Sequence, residues 1–201
     1  MKITEQSGVH AHFQTPMAYY SNTDLIGDLK SYIYSLEGKG IESNVAPLVK
    51  HNLVESNFDF FNDNSVAIAK TKSFLVRSLT RTLNELHSED ECYQIIFRDS
   101  WFHVGKTNSL HEVHRHSQCS WCGIYYVDIG DVGSGQTRFI NPNYSAYDDM
   151  GTRWLDDQTE ETIEIENGLL ILFPSYLEHY QSLYTGKKDR IVVAFNAQVH
   201  F

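Results

Sequence analysis

The stretch His111-Glu112-Val113-His114-Arg115-His116 places three of the chain's ten histidines within six residues, just before the apolar run from 122 to 127. In an extended strand, successive side chains point to opposite faces, so Glu112, His114 and His116 share one face. Imidazole and carboxylate groups are ordinary metal ligands, and a surface strand gains nothing by lining them up. The stretch therefore predicts half of a metal site, with His111 on the opposite, solvent-facing side.

The chain around this stretch has 201 residues, which suits one domain over 1–201 with a substantial core. Its 16 basic and 26 acidic residues give a formal net charge of -10. Nucleic acids and anionic membrane surfaces are held mainly by Lys and Arg, so neither is expected as a partner. A small-molecule substrate fits this composition better, and the sequence leaves a homodimer open.

Two kinds of periodicity divide the chain. Up to about residue 90, apolar residues recur at helical spacing, most clearly from Ser65 to Leu86, beside short edge strands. From 91 to 201, about eight short alternating runs are separated by Gly, Asn and Pro, with Gly105 among the expected turns. The pattern predicts a mainly β fold with N-terminal helices. We expect a double-stranded β-helix (a jelly-roll, cupin-like barrel) braced by helices on one face.

The N-terminus has no apolar leader segment, and no apolar run is long enough to span a membrane. Three cysteines cannot all pair, so reduced thiols and a cytoplasmic location are expected. His116 followed by Cys119 and Cys122 has a zinc-like spacing, but no fourth ligand lies nearby. Zinc is therefore the less favoured metal reading.

The second half of the predicted site comes more than sixty residues later. The segment from Gly168 to His179 places a histidine just after a buried strand, and Arg190 opens the final strand. A histidine pair on one strand, a distant histidine and an arginine suit a metal that leaves positions open for a cosubstrate. An arginine can hold a carboxylate through two charge-assisted hydrogen bonds. The remaining histidines outside these two segments, His103 among them, are expected to be packed or surface residues.

Five ordered blocks over about residues 97–197 resemble the Fe(II)/2-oxoglutarate-dependent oxygenase superfamily, and in particular a small bacterial and phage group with an H-x-H motif. These blocks are His114-Arg115-His116, the run from Cys122 to Val127, Gly135-Gln136-Thr137-Arg138-Phe139, the segment from Gly168 to His179, and Arg190-Ile191-Val192-Val193-Ala194-Phe195-Asn196. The resemblance implies an Fe(II)/2-oxoglutarate-dependent dioxygenase that uses O₂ to hydroxylate, or otherwise oxidise at a C–H bond, a small or amino-acid-like substrate.

Carried over to this sequence, the resemblance implies that His114 and His179 bind iron. Arg190 would then pair with the distal carboxylate of 2-oxoglutarate, with Tyr126 hydrogen-bonding the same group. Asn196 lies six residues beyond Arg190, hence on the same face of the strand, and is expected to line the cosubstrate or substrate pocket.

Two positions depart from the superfamily pattern. His116 stands where a carboxylate is usual, so the third ligand is His116 or, alternatively, Glu112. Val192 replaces a serine that would help to bind the cosubstrate carboxylate. The alternative function is therefore a cupin-like three-histidine metalloenzyme, acting without 2-oxoglutarate as a dioxygenase or an isomerase. The irregular stretch from 144 to 161 is a candidate lid, in which Arg153 and Trp154, together with Arg138, are candidate substrate contacts.

Overall fold

The computed structural model describes residues 14–36, 41–42, 50–87, 92–142 and 159–200. Two helices lie in the N-terminal part, α1 (Ile26–Ser35) and α2 (Val66–Leu86), and the side-chain oxygen of Ser65 caps α2 by accepting from the Ile68 amide. Neither is long and apolar enough to cross a membrane, and no other helix in these ranges is. The strands are β1 (Ala18–Ser21), β2 (Ile41–Glu42), β3 (Lys50–Glu55), β4 (Gln94–His114), β5 (Trp121–Asp128), β6 (Thr137–Ile140), β7 (Glu160–Thr162), β8 (Leu169–Pro174), β9 (His179–Tyr184) and β10 (Arg190–His200).

The strands form one strongly curled sheet in the order β1-β8-β5-β10-β4-β9-β6-β7, with β3 also pairing with β4 and β2 with β3. All of these pairings are antiparallel. A sheet curled in this way encloses an interior lined by alternate residues of each strand. The predicted jelly-roll class is confirmed, whereas the single-domain organisation stays a prediction.

β4 joins the two parts of the curled sheet. Its first half pairs with β10, from Gln94 to Gly105, and its second half pairs with β9, from Ser109 to His114. The predicted turn at Gly105 is wrong, because the strand runs through it. A Cβ at that position would lie 2.6 Å from the Ser109 hydroxyl oxygen, so the glycine here permits close packing rather than a turn.

The alternation along β10 separates two cores. Ile191, Val193 and Phe195 face the helices and belong to the larger apolar cluster with residues of α1 and α2. Arg190, Val192, Ala194 and Asn196, the alternate set, point to the other face, where Val192 joins a second cluster inside the barrel. The helices therefore cover one face, and the interior is left for the predicted site.

Candidate metal centre

The two halves of the predicted site meet where β4 ends and β9 begins. His114 and His179 are direct partners in the antiparallel ladder, and their ring centroids lie 4.3 Å apart. His116 follows two residues beyond β4, where its backbone N–H donates to the Ser175 carbonyl at 3.2 Å. One ring nitrogen from each of the three histidines lies within 4.8 Å of the other two. This convergence is compact enough for all three to share one ion.

Hydrogen bonds orient two of these rings. The Nδ1 atoms of His114 and His179 lie 2.7 Å and 3.0 Å from the carbonyl oxygens of Glu112 and Leu177, each two residues earlier in the chain. A carbonyl accepts only from a protonated ring nitrogen, so both Nε2 atoms keep a free lone pair. This arrangement is the usual one around metal-binding histidines, in which the second nitrogen is held by a backbone carbonyl.

Burial also keeps the three imidazoles neutral. It lowers the pKa of His116 to about 4, and it lowers the pKa of His179 well below the ordinary histidine value, with repulsion from His114 as the next cause in both. The pKa of His114 is lowered mainly by burial as well. Only the neutral imidazole has a lone pair to give to a metal, so the cluster is in its ligand form at neutral pH.

His111 contradicts the expectation that it faces solvent. Its ring stacks on that of His114, with centroids 3.9 Å apart and planes at 18°, and it lines the same cavity. The pairing of β4 with β9 shifts register on both sides of His111, and Asn108, three residues earlier, has a φ of 65°. The irregularity puts residues three apart on one face, which strict alternation forbids.

Glu112, the alternative third ligand, is exposed, and its carboxylate is not part of the cluster. Its backbone carbonyl instead holds the His114 ring. Cys119 and Cys122 are likewise outside the cluster, which gives no support to a zinc site at that spacing. Among the described residues, the geometry therefore favours His116 over Glu112.

Arg190 is 2% exposed and lines the same cavity as the three histidines. Its Nη1 donates to Gln181 Oε1 at 2.8 Å, while its buried Nε has no hydrogen-bond partner within the described ranges. No carboxylate in those ranges forms an ion pair with it. Burying a guanidinium without a counter-charge is costly, and an anion in this cavity would offset that cost.

Tyr126 is fully buried behind Arg190, whose guanidinium carbon lies 5.5 Å from the tyrosine ring centroid. Its hydroxyl donates to Thr137 Oγ1 at 2.6 Å. Thr137 itself lines the cavity beside Arg190, and so does Val192, the residue in place of the usual serine. Thr137 thus supplies a hydroxyl to the cavity that Arg190 also lines. The sequence does not single out Thr137, although the block from Gly135 to Phe139 contains it.

Asn196 lies toward the open side of the site. It lines a neighbouring hollow together with Asp99, Trp101 and the three histidines of β4 and the turn after it, His111, His114 and His116. Its Nδ2 donates to Asp99 Oδ2 at 3.2 Å, and the buried indole Nε1 of Trp101 has no partner among the described residues. Asn196 therefore lines the rim, separated along β10 from the Arg190 end.

A buried polar group from β3 and β4 completes the wall. His103 Nε2 lies 2.5 Å from Glu55 Oε2, and Lys50 forms an ion pair with the same carboxylate. Burial lowers the pKa of His103, so the neutral ring donates its proton to Glu55. Burial alone would raise the pKa of Glu55, but hydrogen bonds from His103 and Lys50 lower it. His103 is a packed residue as expected, yet its ring also borders the cavity.

The three candidate substrate contacts have different outcomes. Arg138 forms an ion pair with Glu160 of β7 at 3.1 Å and is not among the residues that line the cavity. Its neighbours Thr137 and Phe139 face inward, so alternation directs Arg138 outward. Arg153 and Trp154, with most of the candidate lid, lie outside the described residues.

Comparison with protein families gave one match that covers this site. Residues 99–196 match the family described as "Putative 2OG-Fe(II) oxygenase". The matched segment contains all three clustered histidines and Arg190. Curated protein sequences gave no match.

Solved structures with the same fold were found at low sequence identity. A Pseudomonas putida prolyl-4-hydroxylase has a TM-score of 0.60 at 13% identity, covering 90% of this chain and 92% of the other. HygX from Streptomyces hygroscopicus, with nickel and 2-oxoglutarate bound, has a TM-score of 0.63 at 11% identity, covering 92% and 83%. The viral collagen prolyl hydroxylase of Paramecium bursaria chlorella virus-1, in a 2-oxoglutarate complex, has a TM-score of 0.55 at 10% identity, covering 90% and 94%.

These neighbours establish the fold, and the family match covers the strands that carry the histidine cluster and the buried arginine. The resemblance seen in the sequence is thereby confirmed. Residues 99–196, which contain the three clustered histidines and Arg190, are therefore similar in sequence to the 2OG-Fe(II) oxygenase family.

Proposed function

We propose that this protein is a non-haem Fe(II) oxygenase that uses 2-oxoglutarate and O₂ to hydroxylate, or otherwise oxidise at a C–H bond, a small or amino-acid-like substrate. One observation carries the proposal. A fully buried guanidinium without a described carboxylate partner opens into the same cavity as three convergent, neutral imidazoles. A metal next to an anion-binding cation fits a cosubstrate that both chelates iron and carries a remote carboxylate.

The donor set suits iron. Three nitrogen ligands, His114, His116 and His179, would hold the ion on one side and leave the cavity side open for other ligands. The Glu112 and Leu177 carbonyls would fix the ring orientations before metal binds. Iron with 2-oxoglutarate supplies the oxidising chemistry, and the protein supplies binding, orientation and exclusion of water.

Arg190 would bind the distal carboxylate of 2-oxoglutarate. Its Nη1 donates to Gln181, and the guanidinium lies over the Tyr126 ring, so its orientation is already set. Thr137 already accepts from the Tyr126 hydroxyl, so its own hydroxyl proton is free to donate to the same carboxylate. In this arrangement Thr137 replaces the serine lost at Val192, and Tyr126 acts mainly by orienting Thr137.

The substrate would approach from the opposite end. Arg190 and Asn196 lie six residues apart on β10, roughly 20 Å along an extended strand. The rim at that end presents the half-buried Asp99 carboxylate, which forms no ion pair with a described residue, and the unpartnered indole N–H of Trp101. Lys50 lines the same hollow, but its ammonium group is already paired with Glu55. An ammonium or similar cation on the substrate would complement Asp99, which makes an amine-bearing molecule the best-fitting class.

A second candidate function rests on the ligand set itself. Three histidines without a carboxylate, together with Val192 in place of serine, also suit a cupin-like metalloenzyme that binds its substrate directly. In that case Arg190 would bind an anionic group of the substrate rather than a cosubstrate. The buried guanidinium is common to both, so only ligand binding separates them.

The deciding experiment adds Fe(II) and 2-oxoglutarate to the protein without oxygen. Chelation should give a weak charge-transfer absorption band in the visible, absent in His179→Ala and weakened in Arg190→Ala. His200→Ala and Arg138→Ala are matched controls, because His200 is exposed at the end of β10 and Arg138 lies outside the cavity. Iron binding without a band would favour the second function. Unchanged iron binding in His179→Ala would refute the metal site.

A further inference from the structure

Two cysteines lie together at the rim of the candidate metal centre and have no role in the proposed reaction. The Sγ atoms of Cys119 and Cys122 are 3.9 Å apart. A disulfide requires about 2.05 Å, so rotation of the side chains has to close less than 2 Å. Cys122 is buried in the cavity wall, whereas Cys119 is only partly buried in the turn before β5.

The backbone around the pair is held on both sides. Cys122 pairs with Asn196 of β10 and with Phe173 of β8. The carbonyl of Cys119 accepts from the Ser175 hydroxyl at 2.7 Å, and the preceding Gln118 has a φ of 60°. Because both backbones are fixed, the two thiols stay close neighbours rather than meeting by chance.

The two thiols differ in reactivity. Hydrogen bonding between the two sulfur atoms lowers the pKa of Cys119 to about 7, against the opposing effect of burial. The same interaction, together with burial, raises the pKa of Cys122. Thiolate is the nucleophilic form, so the accessible cysteine is also the one that is partly ionised at neutral pH.

We propose that Cys119 and Cys122 are a reversible redox pair, in which Cys119 reacts first with a peroxide and Cys122 then closes a disulfide. The Cys119 thiolate attacks one peroxide oxygen, forming an S–O bond while the O–O bond breaks and one water leaves after protonation. The Cys122 sulfur then attacks the sulfenic sulfur, forming the S–S bond while the S–O bond breaks. The Cys122 proton leaves with the hydroxide as a second water. Two thiols are oxidised by two electrons, one hydrogen peroxide is reduced to two waters, and a dithiol restores the pair.

Closing the disulfide would alter the rim of the site. The Cys122 thiol donates to Asn196 Oδ1 at 3.4 Å, and Asn196 in turn donates to Asp99. Turning the Cys122 sulfur toward Cys119 removes that donor from Asn196. The Asp99–Asn196 end of the hollow therefore changes with the redox state, independently of which metal the histidines bind.

The test uses the full chain with Cys92→Ser, which removes the exposed third thiol. Equimolar hydrogen peroxide at pH 7 should lower the intact mass by about 2 Da and give a peptide linked between Cys119 and Cys122, both reversed by dithiothreitol. Adding Cys122→Ser should leave a sulfenic acid at Cys119 that dimedone traps. Adding Cys119→Ser should leave Cys122 unmodified, because it is buried.

A second readout follows the coupling to the rim. The side-chain amide signal of Asn196 in an NMR spectrum should shift when the Cys92→Ser protein is oxidised. The same signal should not move when the protein that carries both Cys92→Ser and Cys119→Ser is treated with peroxide. Disulfide-linked dimers on a non-reducing gel, or over-oxidation of Cys119 with Cys122 still free, would overturn the proposal. Neither readout needs bound metal, so a failure here is distinct from a failure of the oxygenase function.

Discussion

Replacing Arg190 by methionine tests whether this arginine binds an anion or only stabilises the fold. Methionine fills a similar volume but removes the charge from a site that is 2% exposed. Truncating one partner of a buried, hydrogen-bonded charge pair costs about 3 kcal/mol or more in binding, which corresponds to a Kd for 2-oxoglutarate raised at least ~150-fold. We therefore expect binding to be lost over the usual titration range.

The same substitution should change the stability of the ligand-free protein only modestly. The wild-type guanidinium is buried with no ion-pair partner among the described residues. Replacing even a buried ion pair by apolar residues is often neutral or stabilising by about 1–4 kcal/mol, and an unpaired charge lacks the attraction that such a pair provides. The loss of a donor to Gln181 Oε1 costs about 1–2 kcal/mol in return. The net change in the free energy of unfolding should therefore lie between a loss of about 2 kcal/mol and a gain of about 3 kcal/mol.

Two measurements check this reasoning, with Arg138→Met as the matched control. Isothermal titration with 2-oxoglutarate in the presence of Ni(II) gives the affinity, and urea unfolding of the metal-free protein gives the stability. Arg138 forms an ion pair on the outside of the barrel, so its variant should keep the affinity. An Arg190→Met protein that unfolds more easily by several kcal/mol yet binds 2-oxoglutarate normally would refute an anion-binding role.

Three further predictions follow from the site. Thr137→Val should weaken 2-oxoglutarate about 5- to 30-fold by removing one hydrogen bond, measured by the same titration; an unchanged Kd would exclude Thr137 from the anion site. His116 is held near a pKa of about 4 in the folded protein, against about 6.5 when unfolded, so the unfolded state takes up the proton first as pH falls. The free energy of unfolding of the metal-free protein should thus fall as the pH drops from 6.5 to 4, by about 2 kcal/mol at pH 5. Urea unfolding of His116→Gln should lack this part of the pH dependence; the same pH dependence in both proteins would contradict the prediction. His111→Phe should keep the stacking on His114 and leave Co(II) affinity within about threefold, since His111 is outside the cluster; metal loss would make it a ligand.

The sequence allowed the barrel and the centre of the site to be predicted because both depend on regular patterns. Alternation in β10 put Arg190 and Asn196 on one face, and the buried run of β8 located His179 after it. The helical stripe of α2 predicted its bounds to within one residue. These features follow from local periodicity, which does not require knowledge of the partner strand.

The errors come from features that depend on pairing. The predicted solvent-facing position of His111 is wrong because the β4–β9 ladder shifts register around it. The predicted turn at Gly105 is wrong because this residue lies inside a long strand. Thr137 lines the cavity with Arg190 because β6 pairs with β9. Register irregularities of this kind are set by the neighbouring strand, so alternation along one segment cannot reveal them.

The junction of β4 with β9 also bears on how the protein would lose its ion. The ladder there is interrupted twice, and His114 faces His179 at its end, so few regular backbone hydrogen bonds fasten this edge. An ion bound by both histidines would link β9 to β4. Escape of the metal and fraying of this edge would then be one event, and amide hydrogens near His179 should exchange with solvent much faster once a chelator has removed the ion.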